Sequence, residues 1–239
     1  MTSVAAVIPA KDAAATVRRI VAQLRETVPG IVVIVVDDGS RDATGEAARG
    51  AGAIVLRNER NRGKGAALQA GFDEAIHRGA DIVLALDADG QHDVSVAPRL
   101  LAALEGTDLV VGSREGNRTG MPWIRRATND VTTWWVSKLA GRRIPDSQSG
   151  YRAIRAGVLR AIRPRSRRFE YESEFLIAAA RAGFRIVSVP VPTLYNALGS
   201  HIDPFRDTLR FIRLVIRPVF MMRSGLPSPL TSSESKRVG

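Results

Sequence analysis

The chain has no cysteine, so disulfides, thiolate metal sites and a cysteine nucleophile are excluded. Aromatic residues make up only 5% of it, too few for a platform that stacks single-stranded bases. No uncharged apolar run is long enough to span a bilayer, since the most apolar late stretch, 211–222, is broken by Arg213 and Arg217. The opening run Val4-Ala5-Ala6-Val7-Ile8 reads as a strand and carries neither the basic flank nor the cleavage site of a signal peptide.

Apolar residues are plentiful, at 45% of 239 residues, which suits one large α/β domain, or one domain plus a small appendage, with a sizeable core. The net charge of +11 draws the chain toward polyanions: nucleic acid, anionic lipid or phosphorylated substrates. An arginine-rich proteome gives the same charge without any such partner.

Periodicity alternates between strand and helix. Strands are predicted at 4–9, 31–36, 53–56, 82–86 and 109–111, with helices at 16–24, 42–49, 66–76 and 96–104 between them. The run 31–36 is continuously β-branched, as in a strand covered on both faces. This βαβα order predicts an α/β fold with a mainly parallel central sheet and helices on both faces. Beyond Gly112 the alternation lapses: a loop is expected at 114–122, helices at 124–139 and 172–182, a polar turn at 146–151, and a strand at 186–189 closed by Pro190. A last helix is expected at 205–222, and 225–239 is rich in Ser, Pro and charge and reads as a disordered tail. The division expected is a catalytic domain over 1–204, an amphipathic helix over 205–224 and the tail over 225–239.

In a parallel α/β sheet ligands bind beyond the carboxyl ends of the strands. Acidic residues stand at two of those ends: Asp37 and Asp38 after the second strand, Asp87 and Asp89 after the fourth. Alternate residues of an extended segment share a face, so Asp87-Ala88-Asp89 is expected to present both carboxylates to one side. Mg²⁺ commonly takes one or two carboxylates plus substrate phosphates; a helix cap or a turn accounts for the same pair. Asn61-Arg62-Gly63-Lys64-Gly65 opens a helix with glycines and cations, the makings of a phosphate loop or of a basic surface turn. It is neither a Walker A loop nor a G-x-G-x-x-G fingerprint. In Asp146-Ser147-Gln148-Ser149-Gly150-Tyr151-Arg152 the carboxylate can orient a nucleophile or take a proton, while the serines suit caps and turns. His77 reads as a helix-surface residue, His92 as a ligand or neighbour of the acidic loop, and His201 as a weaker candidate.

In the helix expected at 205–222, Phe205, Leu209, Ile212, Ile216 and Val219 form an apolar stripe beside a basic one of Arg206, Arg210, Arg213 and Arg217. Such a helix suits a membrane surface with anionic headgroups, or a core-packed position with a solvated edge.

Taken in order, Ile8-Pro9-Ala10-Lys11-Asp12, Val36-Asp37-Asp38-Gly39-Ser40, Asn61 to Gly65, Leu86 to His92, Gly112-Ser113-Arg114 and Asp146 to Arg152 resemble the inverting family-2 glycosyltransferases of GT-A fold. The likeness is greatest to the polyprenyl (dolichyl) phosphate mannose and glucose synthases, and spans about residues 4–195. It implies transfer of a sugar from a nucleotide-diphosphate sugar, of GDP-mannose or UDP-glucose type, to a polyprenyl phosphate with inversion. By the same resemblance Pro9, Ala10, Asp12, Asp37, Asp38, Lys64, Asp87, Ala88 and Gln91 contact the nucleotide, and Asp87, Asp89 and Gln91 of the DxD loop hold Mg²⁺ or Mn²⁺. Asp89, Asp146 and Arg114 stand at the reacting centre, with Ser113 and Arg114 toward the acceptor. Lys11 and Ala13 replace the tyrosine and glutamate that the family usually carries in its nucleoside pocket, so the base is open. The implied setting is the cytoplasmic face of the membrane, held peripherally through 205–222, with no nucleic acid as partner. Alternatives are a glycosyltransferase acting on a soluble or glycan hydroxyl, for which Asp146 is the base, and a non-catalytic basic polyanion-binding protein. A sugar-nucleotide pyrophosphorylase is disfavoured because 9–15 contains no glycine.

Overall fold

The computed structural model describes residues 2–114, 123–144, 146–168 and 170–192. The helix expected at 205–222, the tail at 225–239, His201 and all of the 114–122 loop but Arg114 lie outside the described residues.

Seven strands form one sheet in the order β3-β2-β1-β4-β6-β5-β7. The first half is a regular βα alternation: β1 (Val4–Ala10), α1 (Ala14–Thr27), β2 (Val32–Asp38), α2 (Thr44–Gly50), β3 (Ile54–Asn58), α3 (Lys64–His77) and β4 (Ile82–Ala85). A 3-10 turn at Val94–Val96, α4 (Ala97–Ala102) and β5 (Leu109–Ser113) follow. Then come α5 (Trp123–Ala140), β6 (Arg152–Arg155), α6 (Ala156–Ala161), α7 (Glu170–Arg181) and β7 (Ile186–Pro190).

Burial explains the central position of β1 and β2. Ala5 to Ile8 and Val33 to Val36 are almost wholly enclosed, as strands with helices on both faces must be. On α1 the buried residues are Val17, Ile20, Val21 and Leu24, a single stripe at helical spacing. Enclosing each such branched side chain contributes about 1.5–3 kcal/mol.

All pairings are parallel except those of β6, which runs antiparallel between β4 and β5. Neither β6 nor α6 is predicted by the pattern. The four residues of β6, Arg-Ala-Ile-Arg, offer no apolar run and no sustained alternation. The consequence for function is topological. From β1 the chain crosses to β2 and β3 on one side, and β4 lies on the other, so a crevice opens at the carboxyl ends of β1 and β4. Because β6 is reversed, the segment leading into it, 146–151, arrives at that same edge.

Candidate active site

Strand register places the acidic pair after β2. Ala10 stands opposite Asp37, and Asp37 and Asp38 stand opposite Arg57 and Asn58. Both cross-strand pairs bond: Arg57 Nη1 donates to Asp37 Oδ2 at 2.8 Å and Asn58 Nδ2 to Asp38 Oδ1 at 2.8 Å. Asp37 also accepts the Ser40 N–H at 3.0 Å, and Asp38 accepts those of Arg62 and Gly63 at 2.8 Å each. Buried carboxylates require such partners. Asp38 thereby shapes the loop that delivers Lys64.

The loop after β1 is tied to the loop after β2. Asp12, in the left-handed region at φ 50°, donates its N–H to Ser40 Oγ and accepts that of Arg41 at 2.8 Å. Ala13 N donates to Thr44 Oγ1, and Asp42 accepts from Ala14 N and from both the N–H and the hydroxyl of Thr44. These bonds hold Asp42 below the usual carboxylate range, against the opposing effect of its burial. Pro9 is half-buried, Ala10 is buried and Lys11 is exposed.

The DxD segment is not an extended strand with two parallel carboxylates. β4 ends at Ala85, and Ala88 and Asp89 form a turn. Asp87 is half-buried, and Asp89 is exposed and accepts the Gln91 N–H at 2.9 Å. Ala88 is buried, its carbonyl taking the Thr16 hydroxyl of α1 at 2.5 Å. Lys64 Nζ lies 2.6 Å from Asp87 Oδ1 and 2.9 Å from Glu172 Oε2 on α7, and His92 Nε2 lies 3.6 Å from Asp87 Oδ2. Burial alone would raise the Asp87 pKa, but Lys64 and His92 outweigh it and hold the carboxyl well below its usual range. Burial would likewise lower the Lys64 pKa, and Asp87 and Glu172 instead push it up. Gly150 backs directly onto this carboxylate: a Cβ there would sit 2.6 Å from Asp87 Oδ2.

The glycines beside Lys64 admit the chain itself. A Cβ on Gly63 would lie 2.6 Å from the Arg167 carbonyl oxygen, and one on Gly65 2.5 Å from Tyr171 Cβ. The Ala66 N–H bonds Arg167 O at 3.0 Å. This close packing lets Lys64 reach both α7 and the DxD loop.

The third cluster joins β5 to the 146–151 turn. Arg114 grips Asp146 through its backbone N (2.9 Å), Nε (2.8 Å) and Nη2 (2.8 Å). Asp146 is buried and sits at φ 40°, a conformation costly for a non-glycine residue. Arg152, also buried, donates to the carbonyls of Ser147, Ser149 and Glu172, binding the turn to α7. Burial lowers its pKa, with Glu172 the largest opposing influence. The Tyr151 ring is enclosed 5.1 Å from that of His92, its hydroxyl without a partner among the described residues and its pKa raised by burial and by Asp93.

Glu172 has no part in the sequence-predicted site. Its signal lies in its helix: Phe175, Leu176 and Ala179 follow it at three, four and seven residues, all buried, so a glutamate shares the apolar face. His77 is exposed at the carboxyl end of α3, the end opposite Lys64.

Residues 5–168 match the family model described as Glycosyl transferase family 2. The chain belongs to this family. It is a glycosyltransferase, and the sheet and its neighbours are those of the GT-A fold. Among relatives, it is 36% identical over 188 residues to an undecaprenyl-phosphate mannosyltransferase of Micrococcus luteus, covering 74% of this chain and 77% of that one. To a polyprenol monophosphomannose synthase of Mycolicibacterium smegmatis it is 32% identical over 206 residues, covering 81% and 78%. Among solved structures, glucosyl-3-phosphoglycerate synthase of Mycobacterium tuberculosis, in complex with Mn²⁺, UDP and its product, superposes with a TM-score of 0.70 at 23% identity, covering 95% of this chain and 81% of that one. Mannosyl-3-phosphoglycerate synthase of Rubrobacter xylanophilus gives 0.71 at 21%, covering 96% and 78%. At these identities the two structures speak to fold.

Proposed function

We propose that the chain transfers a hexose from a nucleotide-diphosphate sugar to a polyprenyl phosphate, with inversion and with a divalent cation, at the cytoplasmic face of the membrane. The observation that carries this reading is the meeting, at one carboxyl edge, of the DxD turn and the Arg114–Asp146 corner. The names of the relatives supply the acceptor class.

The donors of the DxD turn fit a hard cation. Asp87, Asp89 and the Gln91 side-chain carbonyl offer oxygen donors, and among the described residues no three His, Cys, Asp or Glu side chains are grouped to hold a metal by themselves. Such a set suits Mg²⁺ or Mn²⁺ that completes its shell from substrate phosphates. A bound cation would neutralise charge developing on the leaving diphosphate. In this reading Lys64 fixes the Asp87 carboxylate in place, and Pro9, Ala10, Asp12, Asp37 and Asp38 form the wall of the nucleoside pocket.

An acceptor phosphate is already ionised near neutral pH and needs no strong base. This agrees with Asp146, whose oxygens are engaged by three donors of Arg114. Its role is to position Arg114 toward the acceptor phosphate, and a hydroxyl acceptor that needs Asp146 as base is the less favoured reading. Residues 205–222 supply an amphipathic, arginine-striped segment for peripheral attachment. No helix of the described residues is long and apolar enough to cross a membrane.

A thermal-shift series with GDP, UDP and the other nucleoside diphosphates, each with and without Mn²⁺, tests the donor side. The expected result is a metal-dependent rise in Tm with one base. No rise with any of them would overturn the proposal.

A further inference from the structure

The outer face of α5 is the largest exposed apolar feature among the described residues. Val131, Trp134 and Trp135 are 57%, 55% and 36% exposed. With exposed Lys138 they stand at i, i+3, i+4 and i+7, one stripe of the helix. The opposite side is the packed one: Thr132, Val136 and Ala140 are buried. The two indoles meet edge to face, with centroids 4.9 Å apart, and Lys138 Nζ lies 5.1 and 5.7 Å from them. A soluble surface rarely leaves two tryptophans open without use.

This helix also frames the site. Thr133 Oγ1 accepts the Ser147 N–H at 3.3 Å and lies 3.2 Å from Ser147 Oγ, beside Asp146. Ser137 Oγ accepts the Ile144 N–H at 2.9 Å. The aromatic stripe and the Asp146 turn are thus two sides of one helix, separated by about its 10 Å thickness.

We propose that the Val131–Trp134–Trp135–Lys138 face seats on the headgroup region of an anionic lipid bilayer. Indole rings, apolar in body with a donor N–H, favour the boundary between hydrocarbon and water. Lys138 lays its stem on the rings and its charge toward lipid phosphate, and the chain's net charge of +11 adds attraction to the same surface. Seated there, α5 holds the Arg114–Asp146 corner beside the membrane, where a lipid-linked phosphate presents its head. The inference deepens the proposed acceptor and rests on that reading.

The test uses the full chain and vesicles of phosphatidylcholine with and without phosphatidylglycerol. The only other tryptophan is Trp123, so a Trp123→Phe background leaves indole fluorescence to Trp134 and Trp135. With phosphatidylglycerol present, the emission shifts to the blue and brominated lipid quenches it. The pair Trp134→Ser/Trp135→Ser, at unchanged Tm, weakens vesicle binding about tenfold or more. Equal binding by that variant, or binding with unquenched indoles, overturns the proposal and moves the contact elsewhere on the chain. A blue-shifted emission without lipid, together with a dimer mass that the double variant abolishes, overturns it in favour of a second copy. Transfer to a short, water-soluble prenyl phosphate reads the chemistry separately. The double variant keeps the wild-type rate there, so failure of docking and failure of the proposed reaction are distinguishable.

Discussion

Lys64 Nζ sits 2.6 Å from Asp87 Oδ1, so the first carboxylate of the DxD turn is held by a lysine that enters from a different loop. The lysine in turn leans on Glu172, 2.9 Å away on α7. Lys64→Met leaves two carboxylates facing each other without their cation. Removing one partner from a fully buried pair costs about 3–5 kcal/mol; partial exposure brings the expected loss here to about 2 kcal/mol, read by chemical denaturation. Turnover falls with it, and Glu172→Gln gives a smaller loss of the same kind. A variant as stable and active as the wild type would remove Lys64 from the account.

Gly150 and Gly65 separate chemistry from packing. Gly150→Ala puts a methyl group against the Asp87 carboxylate and should shift it by a good part of an ångström. Displacements of that size near reacting groups cost about a hundredfold in rate. Gly65→Ala meets Tyr171 and the 167–168 backbone instead, so its expected effect is a stability loss of about 1–3 kcal/mol from overpacking. Steady-state kinetics and denaturation on both variants check the contrast.

Much of this arrangement is legible in the sequence, and the exceptions have physical reasons. In the first half, period and composition are plainest where an element is long and one-sided, as α1, or almost wholly enclosed, as β1 and β2. β6 escapes because four residues with arginine at each end carry no period, although the sheet needs that strand to bring Asp146 to the edge. Spacing alone puts Asp87 and Asp89 on one face of an extended segment, whereas the structure has a turn at Ala88 and Asp89, with Asp87 half-buried and Asp89 exposed. The Gly-Lys-Gly loop offered phosphate or surface readings, and neither reading anticipates glycines that admit the 167–171 backbone, a contact between segments a hundred residues apart. The resemblance makes Asp12, Asp37 and Asp38 pocket residues, and the structure adds their present occupation: each is bonded within the chain.

Arg114 and Asp146 form a two-pronged pair that lysine cannot copy. Arg114→Lys and Asp146→Asn each lose charge-assisted bonds worth about 1.5–3 kcal/mol, which corresponds to roughly 10–100-fold in kcat/KM. If Asp146 positions rather than abstracts a proton, the pH profile of the remaining activity keeps its wild-type shape in Asp146→Asn. A lost acidic limb would instead mark Asp146 as a base.

Asp42 gives a pH signature away from the chemistry. Its pKa is lowered from 3.8, so its bonds stabilise the fold above that value and are lost as pH falls through the lower, folded one. The stability difference between wild type and Asp42→Asn should be constant from neutral pH down to about 5 and shrink below 3.8. Urea titrations across that range measure it.

The central claim is metal-dependent transfer of a sugar to a lipid phosphate. The most direct measurement incubates the purified chain with Mn²⁺, each candidate nucleotide sugar and polyprenyl phosphate, and follows glycolipid and nucleoside diphosphate together, for wild type and Asp89→Ala. The account predicts equal amounts of both products, none after chelation, and a severe loss in Asp89→Ala with the fold intact. Full activity in Asp89→Ala, or no glycolipid with any donor, would contradict it.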